Sequence, residues 1–76
     1  MRRKNKKARQ LTRFGANVRR QRQRLKLTQG ELAQKTGMHP RAVQKVEAGA
    51  VNTSLTTILR IQRALKCRWE DLLGKP

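Results

Sequence analysis

TQGELAQKTG, residues 28–37, decides the fold. Thr28 and Glu31 stand three apart, directly ahead of apolar Leu32 and Ala33. That is the capping-box spacing, in which the threonine hydroxyl accepts from the N–H of Glu31 and the Glu31 carboxylate accepts from the N–H of Thr28. A helix therefore starts here, and it stops at Gly37, which takes the left-handed conformation that helix ends favour. The next stretch, MHPRAVQKVEAG at 38–49, reads as a second helix beginning at Pro40. Proline suits a first helical position because the N–H it lacks would have no partner there. His39 is a poor N-cap by residue type, and Gly49 closes the segment.

Working outward, Leu11, Phe14, Val18 and Leu25 recur at spacings of three, four and seven, which marks an amphipathic helix reaching about Lys26. On the other side, AVNTS is a loop in which Ser54 or Asn52 can cap a helix carrying apolar Leu55, Ile58, Leu59, Ile61 and Leu65. WEDLL forms a short fifth helix before Gly74. The expected helices are 11–26, 29–36, 40–48, 55–66 and 69–73. No alternating β-branched run and no internal repeat competes with them, so the fold class is all-α, a compact five-helix domain over 11–76. Ahead of it, MRRKNKKARQ at 1–10 is an arm with Arg2, Arg3, Lys4, Lys6, Lys7 and Arg9 and no acid. It has nothing to bury and is expected to be disordered in isolation.

The chain has 76 residues, enough for one small domain with a modest core. Its 20 Lys and Arg against 4 acids give a net charge of +16, which repels itself unless a polyanion neutralises it. Nucleic acid is the leading partner. An anionic membrane surface is a weaker one, since Phe14 and Trp69 are the chain's interfacial aromatics. There is no apolar run of about 18 residues and no signal-peptide core, so a cytoplasmic protein is expected. The single cysteine, Cys67, reads as a small apolar side chain and agrees with a reducing compartment. With one histidine and one cysteine no zinc site can be assembled. No nucleophile or acid–base constellation stands out, so neither an enzyme, a cofactor nor a small-molecule substrate is expected.

The second and third helices are joined by a short turn around Gly37, the layout of a helix-turn-helix. Ala33 is small where the two would cross, Gly37 lies four residues on, and Val43 and Val46 follow on the inner face of the third helix. With LTQGELA, TG, VEAG and SLTTIL at these places, the chain from about Phe14 to Gly74 resembles the lambda-repressor-like helix-turn-helix family of the Xre/Cro type. It departs from the family's usual pattern at Gln21 and Thr36, polar where apolar residues are usual, at Thr53 in place of a proline, and at Arg68 in place of a Ser or Thr cap. The resemblance implies a third helix that enters the major groove of double-stranded DNA, as a rule in a homodimer on a palindromic operator.

Ala42, Val43 and Val46 point inward on that helix, which leaves Pro40, Arg41, Gln44 and Lys45 outward as candidates for reading bases. Arg can pair with guanine O6 and N7, and Gln with adenine N6 and N7. The resemblance further implies that the helix start at Thr28 and Gln29 abuts a phosphate, where free N–H groups and the helix dipole favour an anion. His39 and Asn52 are further phosphate candidates, and the basic arm is a candidate to wrap the duplex or enter its minor groove. At 100° per residue Arg22 lies roughly 50° from the centre of the first helix's apolar stripe. The family commonly pairs this position with that of Glu47, so a largely buried Arg22–Glu47 salt bridge is expected. Trp69, Leu72 and Leu73 crowd the last helix, and a homodimer built around them is expected. The resulting reading is a DNA-binding transcriptional regulator associated with the nucleoid, of phage-repressor, antitoxin or restriction-modification controller kind. A sequence-indifferent nucleic-acid- or ribosome-associated basic protein is the alternative.

Overall fold

The computed structural model describes residues 6–74, and they form five helices: α1 Lys6–Arg24, α2 Gln29–Thr36, α3 Pro40–Glu47, α4 Leu55–Leu65 and α5 Trp69–Leu73. Arg2, Arg3 and Lys4 of the arm lie outside the described residues. α1 begins at Lys6 instead of Leu11, so Lys7 and Arg9 stand on a helix and not on a loose arm. Residues 7–10 bury little, but Ala, Arg, Lys and Gln are strong helix formers. Adding turns to a helix already anchored at Phe14 avoids the cost of nucleation. Thr12 supports the extension by donating its hydroxyl to Ala8 O at 3.0 Å.

The core gathers side chains from every helix: Phe14 and Val18 of α1, Leu32 and Ala33 of α2, Val43 and Val46 of α3, Ile61 and Leu65 of α4, Leu72 of α5, and Cys67 between the last two. α3 packs against α1 and α2, while α4 packs against α2 and α1. Two buried polar residues are satisfied by backbone. Thr36 donates to Leu32 O at 2.8 Å and Ala33 O at 3.1 Å, which lets a hydroxyl occupy an apolar position. Asn17, 1% exposed, donates to Leu72 O at 2.8 Å and Gly74 O at 2.9 Å and accepts from Arg20. It thereby supplies the carbonyl partners that α5 lacks at its C-terminal end.

Two expectations at helix starts change, and the choice left open at α4 is settled. His39 does cap α3, its Nδ1 accepting from Arg41 N–H at 3.1 Å, because the imidazole is in its acceptor form on that side. Ser54, not Asn52, caps α4. At α5 the cap comes from the far side: Asp71 accepts from Arg68 N–H at 3.0 Å, so Arg68 itself need supply no acceptor. Leu72 is fully buried and closes this domain's own core, which removes it from the expected dimer face. Trp69 and Leu73 stay 40% and 53% exposed, and Leu55 and Leu59 of α4 are exposed as well.

Gly15 marks a close helix contact. A Cβ there would lie 2.3 Å from Val46 O and 2.6 Å from Glu47 O, so α1 rests directly on the backbone of α3. Gly30, near the start of α2, faces open space, its nearest neighbour being Thr28 Oγ1 at 3.8 Å. The two glycines therefore respond oppositely to alanine. Gly15→Ala forces the helices apart and is expected to cost about 1–3 kcal/mol. Gly30→Ala reduces the freedom of the unfolded chain and is expected to gain about 0.5 kcal/mol. Urea unfolding of both variants against the parent checks the signs.

Candidate nucleic-acid interface

The capping box at the head of α2 is complete. Thr28 Oγ1 accepts from Glu31 N–H at 3.0 Å, and Glu31 Oε1 accepts from Thr28 N–H at 2.8 Å. The Thr28 N–H, followed by its hydroxyl, holds the Glu31 carboxyl below its ordinary value. The box uses the N–H groups of Thr28 and Glu31. It leaves those of Gln29 and Gly30, the other two at this helix start, without a partner inside the helix. At the far end Gly37, with φ 72°, adopts the left-handed conformation and turns the chain into α3.

α3 is held from behind. Glu47 accepts from Arg22 Nε at 2.7 Å and from Arg22 Nη2 at 3.0 Å, a two-pronged ion pair whose side chains are 12% and 4% exposed for Arg22 and Glu47. Arg22 also donates to Leu27 O at 2.8 Å. The Glu47 hydrogen bond raises the arginine's pKa further, against the opposing effect of burial. Gln29 joins the same pair, its Nε2 donating to Glu47 Oε1 at 3.0 Å. One carboxylate thus connects α1, the start of α2 and the end of α3. The sequence reading placed Gln29 toward a phosphate but missed this inward bond. The signal was its position at the first residue of α2, which lies beside the end of α3.

The outward face of α3 presents Pro40, Arg41, Gln44 and Lys45, all exposed, while Val43 and Val46 are buried and Ala42 is half-buried. Lys45 and Asn52 come together across a shallow recess of about 240 Å³, lined also by Ser54 and Thr57 at the head of α4. His39 is exposed at the tip of the turn, its Nδ1 accepting from the Arg41 N–H. All four acids are engaged elsewhere: Glu31 in the α2 cap, Glu47 with Arg22, and Glu70 and Asp71 with Arg68, at 3.5 Å and 3.7 Å. The exposed face of α3 therefore carries positive charge and amide groups with no carboxylate among them. Among the described residues no group of His, Cys, Asp and Glu could hold a metal ion, and no helix is long and apolar enough to cross a membrane. Burial, and then the charge of Asp71, push the Cys67 thiol upward in pKa, which suits a packed and unreactive side chain.

A helix-turn-helix family model matches residues 18–72, from the middle of α1 to the last turn of α5. The chain belongs to the lambda-repressor-like helix-turn-helix family. Among solved structures, this helix-turn-helix protein is similar to the restriction-modification controller protein C.AhdI from Aeromonas hydrophila. The identity is 35% and the TM-score 0.78, over 82% of this chain and 94% of that one. No curated protein matches the chain in sequence. Family and structural likeness together make this helix-turn-helix protein a DNA-binding transcriptional regulator.

Removing one partner of a buried ion pair strands the other, at about 3–5 kcal/mol. Small domains hold on the order of 5 kcal/mol in all. Glu47→Ala is therefore expected to leave about 0–2 kcal/mol, so that up to about half of the protein is unfolded at 25 °C and its melting temperature falls sharply, read by far-ultraviolet circular dichroism; a melting curve equal to the parent's would mean that the pair contributes nothing. The Glu31 cap has a definite pH dependence. Because the folded carboxyl is lowered from its ordinary 4.5, its stabilisation is complete above that value and is lost as pH falls through the lowered one. Glu31→Gln is expected to remove that part of the acid dependence.

Proposed function

We propose that the protein is a sequence-specific regulator that acts by occupying its operator, with α3 in the major groove reading base edges. One observation carries this reading. Arg41, Gln44 and Lys45 form an acid-free exposed face on a helix whose opposite side is clamped by Gly15 and by the Arg22–Glu47 pair. A helix so fixed presents its side chains at defined positions, as direct readout requires. Arg41 is assigned to a guanine edge and Gln44 to an adenine edge, with Pro40 against the groove floor and Lys45 near base or backbone. Thr28 and Gln29 at the head of α2, with His39 and Asn52, are assigned to phosphates. The basic residues Arg2, Arg3, Lys4, Lys6, Lys7 and Arg9 are assigned to the DNA backbone.

The acting unit is proposed to be a homodimer. Trp69 and Leu73 of α5 and Leu55 and Leu59 of α4 leave large apolar surfaces uncovered. Burying them between two copies would set the reading helices about 34 Å apart, on successive turns of one duplex face. The similarity to C.AhdI favours a controller-like role over a phage-repressor or antitoxin role. The place of action is the cytoplasm, on the nucleoid.

Reading and holding separate cleanly by experiment. Arg41→Ala is expected to cost about 1–3 kcal/mol on the preferred site and to relax the choice at one base pair per half-site, with little effect on random DNA. Deleting residues 2–9 is expected to weaken all sequences alike and to flatten the salt dependence by about 0.9 per lost phosphate contact. Equal weakening of every sequence by Arg41→Ala would contradict the reading. Trp69→Ala is expected to convert a dimer to a monomer in sedimentation equilibrium, and a parent protein that is monomeric both free and on its operator would remove the dimer.

A further inference from the structure

Three helices bring cations to one place at their C-terminal ends. Lys35 lies in the last turn of α2, and Arg60, Arg63 and Lys66 follow one another along α4 and its cap. These four, with Ala64, line an open recess of about 330 Å³. Arg24 arrives from the end of α1, its Nη2 3.4 Å from Leu65 O. Among the described residues none of the five has a carboxylate partner, because Glu47, Glu70 and Asp71 are paired with Arg22 and Arg68. Glu31, one turn before Lys35, attracts it weakly, but its oxygen is committed to Thr28.

The recess is separate from the face assigned to base reading. α2 has α3 packed against it and, independently, α4. The head of α4, with Ser54 and Thr57, shares a recess with Lys45 of α3, whereas the tail of α4 shares this one with Lys35. Helix dipoles explain a cation in the last turn of α2 or α4. They do not explain Arg60, in the middle of α4, three residues before Arg63, where like charges on one helix face repel. An arrangement that weakens the isolated fold points to a ligand of opposite charge.

We propose that this recess is a second, sequence-independent surface for the DNA backbone, so that one protein bound to its operator through α3 holds another duplex there. From Arg60 to Lys66 the helix rises about 9 Å, a length over which one strand of B-DNA presents two to three phosphates at about 3.4 Å of axis each. An acidic protein partner fits less well. Protein interfaces are anchored by buried aromatic and apolar side chains, and the apolar residue lining this recess is Ala64. Backbone binding needs no such anchor. It also answers the charge of +16, which a single operator face leaves largely unneutralised.

A capture assay with the full chain tests this. A biotinylated duplex carrying the preferred site is fixed to beads, and a fluorescent random duplex is offered with the protein at low salt. The parent protein is expected to retain the random duplex. Arg60→Gln/Arg63→Gln is expected to lose that retention while still binding the fixed duplex and melting no lower than the parent, and to lower the salt slope on random DNA by about 1.8, two contacts at about 0.9 each. Arg60→Lys/Arg63→Lys, which keeps the charge, is expected to retain capture. Capture undiminished in the Gln variant would overturn the proposal, since bridging would then run through the two reading faces of a dimer. A lysine variant that fails to capture would overturn it as well, as would a parent protein that retains none of the random duplex while binding the fixed one.

Discussion

The Arg22–Glu47 ion pair is the constraint on which the rest of the structure depends. Taking two charges out of water is expensive, and the attraction between them offsets that cost only when geometry is good and the remaining donors and acceptors are satisfied. Here Nε and Nη2 of the arginine both meet the carboxylate, its Nη1 meets Leu27 O, and Gln29 supplies a further donor. The pair therefore does more than join α1 to α3. It fixes the entry of the chain into α2 and the rotation of α3 about its axis. Apolar packing alone specifies that rotation poorly, because Val43 and Val46 present similar shapes over a range of angles. Gly15, where α1 touches the α3 backbone, removes the remaining freedom along the contact.

The distribution of charge follows from the same economy of acids. A chain with 4 carboxylates and 20 cations has none to spare for surface neutralisation, and each is used at a helix start or at the junction of helices. What is left is a domain whose exposed charge is mostly positive. Charge alone would make it a DNA binder without preference, since phosphate contacts carry affinity and salt dependence but no sequence. Preference has to come from the one cationic face that is also rigid. α3, wedged between α1 and α2, supplies that face, and Gln44 gives it the amide that a purely cationic surface lacks.

The α2 boundaries were legible because their signals are local: Thr28, Glu31 and Gly37 act within one turn of themselves. Arg22 was legible from its angle on α1. The start of α1 at Lys6 was not, because apolar periodicity reports what a helix buries, and the first turns of α1 bury little. Leu72 could not be told from Leu73 in sequence. Five residues make less than two turns, and which leucine faces inward depends on how α5 docks on α1. Asn17 went unread for a related reason, its carbonyl partners lying 55 and 57 residues away. Leu55 reads as part of the core stripe of α4 and yet is 71% exposed, its place at the first residue of the helix setting it apart from Ile61 and Leu65, which the core buries. Of the surface candidates, sequence and structure agree on the exposure of Pro40, Arg41, Gln44 and Lys45, and exposure is what the alternation of buried Val43 and Val46 along α3 reports.

The central claim is that a rigid α3 reads sequence while the remaining charge only holds DNA. Selection from random genomic fragments at two salt concentrations tests it most directly. The account predicts that one short, two-fold symmetric motif is enriched, and that raising the salt lowers total binding while sharpening the enrichment, because phosphate contacts weaken and base contacts do not. Recovery of fragments in proportion to their length, with no shared motif at either salt concentration, would contradict it.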